Sequence, residues 1–182
     1  MRCEIPRAKR TLIMTTRDDL KDLLREIVQG FTRFHGDLKI EQAETPNTVQ
    51  LNIQTHRDDM GKLLGARGSM IQSLRIIFEA IGENLDCRVK IEPTEPVTGE
   101  KQPQPPYQFN PHTKAEQFVP LLSKLTELIW HDGVAVTVKD TGEETSYLLI
   151  DAEPDAELET ALSNVMHATG KNFGRKIYVE IA

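Results

Sequence analysis

Four residues, Gly65-Ala66-Arg67-Gly68, have the types and spacing of a turn that could hold a phosphate chain. Glycine at both ends allows positive φ and lets another backbone come close with no Cβ in the way. An apolar-periodic segment begins at Ser69, so the turn opens a helix, where free N–H groups and the helix dipole attract anions. Lys62 and Arg67 place mobile positive charge beside it. Leu64 and Ile71 are expected to pin the two flanking helices to a sheet. A tight helix–helix turn usually needs one glycine, and this one has two. A nucleotide-binding P-loop is excluded by spacing, since no G-x-x-x-x-G-K-S/T occurs.

Other candidates are weaker. Arg57 is as well explained as a solvated helix-start residue beside Asp58 and Asp59. Arg75 lies beyond the loop, off the apolar face, and is a secondary candidate for phosphate. Lys90 alternates outward on a strand and reads as a surface lysine. The five histidines, His35, His56, His112, His131 and His167, have no metal-ligand spacing. His131-Asp132 has no serine or cysteine placed as a nucleophile, and His at a helix end serves the dipole. The acidic run from Asp151 to Glu159 lacks the central glycine of a calcium loop. Cys3 and Cys87 form neither a disulfide framework nor a metal site. No catalytic group, metal or cofactor is therefore expected.

The elements that must position the loop follow from periodicity. A helix is expected over 17–34, capped by Thr16 and stopped at Gly36, with Leu20, Leu23, Leu24, Ile27, Val28, Phe31 and Phe34 on one face. Strands follow at 38–43 and 48–55, joined by a turn at Thr45-Pro46-Asn47. A short helix at 58–64 leads into the loop, and a helix at 69–81 leaves it, ended by Gly82. A strand at 88–92 closes the order α-β-β-α-α-β. Residues 1–14 lack periodicity and read as a disordered leader, which makes Met14 a possible start of translation. Prolines across 94–113 mark a linker stiffened toward polyproline II.

The pattern then returns in residues 114–182. A helix is expected at 114–130, ended by Asp132-Gly133. Strands at 134–139 and 145–151 are joined by Asp140-Thr141-Gly142, and a helix at 155–169 is ended by Gly170. The final strand is 176–181. Leu23-Leu24, Ile40 and Leu51 match Leu121-Leu122, Val138 and Leu149 at an offset of 98. Residues 69–92 match 157–180 at an offset of 88. This is an internal repeat whose second copy lacks ten residues, most simply Asp59 to Gly68, and with them the glycine loop.

The net charge of −6 conceals an asymmetry. Residues 1–93 carry 15 Lys+Arg and 14 Asp+Glu, against 7 and 14 in residues 94–182. An anionic partner should therefore meet the first half and be repelled by the second. The chain is 38% hydrophobic and 27% charged, enough for a real core. It has no apolar run fit to span a bilayer and no signal-peptide core. A cytoplasmic protein with no membrane partner is expected.

The stretch Leu63-Leu64-Gly65-Ala66-Arg67-Gly68-Ser69-Met70-Ile71 resembles the G-x-x-G motif of the KH domain. The α-β-β-α-α-β order is similar to the bacterial type II arrangement. Asp59-Met60-Gly61-Lys62-Leu63-Leu64-Gly65 resembles the corresponding stretch of the small single-KH family of the KhpA type, over roughly residues 15–93. The fold class so implied is α+β, a type II KH domain at 15–93 followed by a degenerate KH-like domain at 114–182. The resemblance implies non-catalytic binding of about four nucleotides of single-stranded RNA. The site would comprise Lys62, Gly65, Ala66, Arg67, Gly68 and Ser69, in an RNA chaperone or post-transcriptional regulator. The second domain would serve protein contact or self-association. Two alternatives are a ribosome-associated interaction scaffold and a binder of single-stranded DNA.

Overall fold

The computed structural model describes residues 17, 19–97, 108, 110, 112–130, 134–140, 144–153 and 155–181. The expected leader, the Thr16 cap, most of the Pro-rich linker and the turns at 131–133 and 141–143 lie outside the described residues. The first half runs α1 (Asp19–Phe31), β1 (Lys39–Thr45), β2 (Thr48–Gln54), α2 (Arg57–Leu64), α3 (Ser69–Asn84) and β3 (Arg88–Pro93). The second runs α4 (Val119–Trp130), β4 (Val136–Asp140), β5 (Thr145–Ile150), α5 (Ala156–Asn172) and β6 (Lys176–Ile181). The fold is α+β, with the α-β-β-α-α-β order in the first half and a second α/β region after it.

Each half builds one three-stranded sheet. β1 pairs antiparallel with β2, and β2 pairs parallel with β3. β4, β5 and β6 repeat that topology. Alternation explains the strands: Val49, Leu51 and Ile53 are buried while their neighbours are half-exposed. α1 buries Leu20, Leu23, Leu24, Ile27, Val28 and Phe31, one helical face, each side chain contributing about 1.5–3 kcal/mol.

The registers fix which residues correspond. Thr48 is opposite Arg88, and Thr145 is opposite Lys176, so β2 and β5 correspond at an offset of 97 once β3 and β6 are set at 88. Leu51 therefore corresponds to buried Leu148, not to Leu149. Ile40 pairs with Ile53 and Val136 with Ile150, so Ile40 corresponds to Val136 and not to Val138. A strand inverts its faces with each single-residue shift, and the sheet sets the register more sharply than sequence matching does. Residues 55–68 join β2 to α3, whereas 151–155 join β5 to α5, so the second half is shorter here by nine residues rather than ten.

Two glycines do not end their helices. α3 runs past Gly82 to Asn84, and α5 runs past Gly170 to Asn172. Both allow the returning chain to come close. A Cβ on Gly82 would lie 2.6 Å from the Cys87 carbonyl oxygen, and one on Gly170 would lie 2.6 Å from that of Arg175. In each case the amide five residues on donates to the glycine carbonyl, at 2.9 Å and 2.8 Å.

The halves share one apolar core. α3 packs on α5, α1 packs on α5 and α4 packs on α3. Asn84 Nδ2 donates to the carbonyls of Leu128 and Ile129 at the end of α4, at 2.8 and 2.6 Å. Asn172 Nδ2 donates to the Gly30 carbonyl near the end of α1, at 3.1 Å. These bonds exchange when the halves are exchanged. Each satisfies helix C-terminal carbonyls that have no partner inside their own helix. Lys124 and Glu26, 98 residues apart, form an ion pair at 2.6 Å between α4 and α1. None of the described helices is long and apolar enough to cross a membrane.

Candidate nucleic-acid interface

The loop between α2 and α3 is a single 3₁₀ turn, Ala66–Gly68, flanked by backbone of unusual hand. Gly65 has φ 72° and ψ 179°, Arg67 φ 55° and ψ 27°, and Gly68 φ 83° and ψ 11°. Gly65 lies in a region open in practice to glycine alone. Arg67 takes the left-handed conformation at a cost of about 1–2 kcal/mol. The reversal leaves Ala66, Arg67 and Ser69 exposed and Lys62 and Gly68 half-exposed. The Arg67 guanidinium makes no hydrogen bond or ion pair with the described residues.

The two glycines do different work. A Cβ on Gly65 would meet the Met70 amide at 2.7 Å and Met70 Cβ at 2.8 Å. A Cβ on Gly68 would meet nothing within 4 Å. Gly65 is thus required by packing, and Gly68 leaves open space where another backbone can approach.

No side chain caps α3 at Gly68, whose helix start faces the exposed turn. The corresponding start of α5 is closed: Asp155 Oδ1 accepts from the amides of Glu157 and Leu158, both at 3.0 Å. A carboxylate occupies there the position an anionic ligand could take at α3.

Asp59 positions the loop's supporting helix. It is 1% exposed. Its Oδ2 accepts from the amides of Arg33 and Phe34, both at 2.7 Å, tying the start of α2 to the end of α1. This bond, rather than Gly36, stands where α1 stops at Phe31. Lys62 Nζ lies 3.4 Å from Asp59 Oδ1, an ion pair without hydrogen-bond alignment, so its charge is shared with Asp59. His56 caps α2 by accepting the Asp58 amide on Nδ1 at 3.2 Å, and its ring lies 4.1 Å from that of Phe34.

The pinning leucine is Leu63, fully buried, whereas Leu64 is 37% exposed. Leu64 is apolar surface beside the loop. Arg75 donates through Nε to the Ile91 carbonyl at 3.0 Å, so it fastens α3 to β3. Arg57 and Lys90 are exposed. Residues 94–97 continue along β2: the Val97 amide donates to the Thr55 carbonyl at 2.9 Å.

Sequence reasoning did not place anything from the second half near the loop. The structure holds a cleft of about 1020 Å³ there. One wall carries Lys62, Gly65, Ala66 and Ser69, and α5 with the residue after it supplies Lys171 and Phe173 to the other.

A family model for the KH domain of KhpA and KhpB matches residues 21–92. These residues are a KH domain of that type. The KH domain is similar to proteins named RNA-binding protein KhpA. The one from Bacillus subtilis is 27% identical over 77 residues, covering 42% of this chain and 95% of that protein. The one from Listeria monocytogenes is 24% identical over 73 residues, covering 40% of this chain and 96% of that protein. The one from Streptomyces coelicolor is 29% identical over 63 residues, 35% of this chain and 80% of that protein. Each match spans well under half of this chain.

Proposed function

We propose that this chain binds single-stranded RNA without catalysing a reaction, and that the KH domain holds the sugar-phosphate backbone at Lys62, Gly65, Ala66, Arg67, Gly68 and Ser69. One observation carries the reading. The G-x-x-G turn is exposed and left-handed, no side chain caps the start of α3, and the Arg67 cation is unengaged among the described residues. Similarity to proteins named for RNA binding supports the choice of ligand. An RNA chaperone or post-transcriptional regulator is the role such backbone contact suits. Roughly four nucleotides held mainly by their phosphates should bind at about micromolar strength and weaken with salt.

Residues 114–182 are, on this reading, a degenerate KH-like copy that works as a structural partner. α4 and α5 cover the faces of α1 and α3, where a separate subunit could otherwise pair. The Pro-rich stretch across 94–113 is proposed as the spacer between the copies.

The test is Ala66→Asp with Arg67→Asp, read by fluorescence anisotropy on labelled single-stranded RNA. Aspartate tolerates the left-handed conformation at 67 better than most residues, so the fold should persist. Affinity should fall at least ten-fold with the far-UV spectrum unchanged. Undiminished affinity would rule out the loop as the site and favour an interaction scaffold. Equal competition by single-stranded DNA of matched sequence would show that no 2′-hydroxyl contact contributes.

A further inference from the structure

We infer that the second half supplies a second wall to the RNA site, with Phe173 as a base-stacking platform and Lys171 as a phosphate contact across the cleft from the glycine loop. The inference rests on the proposed RNA-binding function and extends it to residues outside the KH domain.

The internal repeat provides a control within one molecule. α3 faces α5, and their C-terminal turns correspond at an offset of 88. The last turn of α5 lies across the cleft from the glycine loop. Exchange of the halves relates this turn to the last turn of α3. It relates the loop to the connection 151–155, which is nine residues shorter and has no glycine. A merely structural role would ask for similar residues in both turns. Asn84 and Asn172 are such a pair, each bonded to the end of a helix in the other half. The residues around them diverge in one direction. Glu83 of α3 and Leu85 just after it correspond to Lys171 of α5 and Phe173 just after it. Only where the loop is present has the opposing turn replaced acid by base and aliphatic by aromatic.

The geometry agrees with that direction. Phe173 is 51% exposed, and Leu64 is the other large apolar side chain exposed among the described residues. The Phe173 ring leans edge-on against Phe118, with centroids 6.1 Å apart, so it is held rather than loose. A supported, half-exposed aromatic is what a nucleobase stacks on, whatever its identity. Lys171 is exposed at the same rim. Asn164 Nδ2 donates to Ser73 Oγ at 3.0 Å, which fixes α5 against α3 one turn beyond the loop. The cleft volume of about 1020 Å³ is ample for two or more nucleotides. The local charge thus opposes the average: the second half is acidic overall yet basic where it meets the loop.

The test installs in the second wall the residues found at its counterpart. Phe173→Leu changes no charge, and Lys171→Glu reproduces Glu83. Both sites are exposed, and the thermal midpoint checks the fold. The probe is fluorescein-labelled oligouridylate of 4 and 12 nucleotides, read by anisotropy with the full chain. Expected results are a loss of about five- to thirty-fold on the 12-mer for Phe173→Leu with Lys171→Glu, the scale of losing a stacked base. The 4-mer should lose much less. Ultraviolet crosslinking of the 12-mer should yield an adduct at Phe173. Wild-type 12-mer affinity in the double variant, with binding abolished by Ala66→Asp and Arg67→Asp, would overturn this inference and leave the loop intact as the site. Binding undiminished in both would overturn the loop assignment itself.

Discussion

Gly65 and Gly68 lie three residues apart in one motif, yet the structure assigns them separate physical reasons, and that separation can be measured. Alanine at Gly65 must adopt φ 72° and ψ 179° and place a Cβ 2.7 Å from the Met70 amide. The backbone conformation costs about 1–3 kcal/mol. Forcing the contact apart adds about 1–3 kcal/mol. Alanine at Gly68 pays only for the left-handed conformation, about 1–2 kcal/mol, because the space beside it is open. The expected difference is about 2 kcal/mol, or roughly 4–8 °C in thermal midpoint for a chain of this size. Thermal and urea unfolding followed by circular dichroism measure it. RNA affinity, measured where both variants are folded, should order them the other way for any residual defect, since the open side at Gly68 is where a ligand backbone would approach. Equal destabilisation by the two alanines would refute the assignment of Gly65 to packing.

Three further outcomes are expected. Asn84→Ala removes the donor that serves two carbonyls at the end of α4 and should cost about 1–3 kcal/mol; because the halves share one core, urea unfolding of the full chain should move as a single transition to lower midpoint, and separation into two transitions would contradict that. His167 has its pKa lowered from 6.5, chiefly by burial and then by Lys171, so the folded state favours its neutral form. Its contribution to stability is complete above 6.5 and is lost as pH falls through the lower folded value. His167→Gln should flatten the urea midpoint against pH below about 6.5, and an unaltered slope would exclude this linkage. Arg67→Ala should reduce the salt dependence of RNA affinity by about 0.7 in log–log slope, the share of one phosphate on a single strand; an unchanged slope would mean that Arg67 touches no phosphate.

The helices and strands were legible because each buries one face. Leu20 through Phe31 and Val49, Leu51 and Ile53 announce their periods without help from tertiary contacts. Adjacent leucines carry no such signal. Leu63 and Leu64 are chemically alike, and only the path of α2 decides that the first is buried and the second exposed. Gly82 and Gly170 look like stops because glycine is a poor helix former, whereas their reason is the approach of Cys87 and Arg175. The hold of Asp59 on the end of α1 spans 25 residues and has no local mark. In the site, the loop was readable as a motif. The opposing wall was not, since Phe173 lies more than 100 residues away. Its signal was the contrast of Lys171 and Phe173 with Glu83 and Leu85, which occupy the same places relative to the shared glycines, Gly170 and Gly82, and the shared asparagines, Asn172 and Asn84.

The exchange of Asn84 and Asn172 between the halves has a consequence for stoichiometry. Two subunits joined through such faces would come apart on dilution and would present two loops. Here the pairing is a step of folding, indifferent to protein concentration, and the connection before α5 is too short to carry a counterpart of the loop before α3. On the proposed reading each molecule holds one strand once. It gains no avidity from a duplicate site, cannot tether two strands to each other, and lets go at the rate set by a single grip.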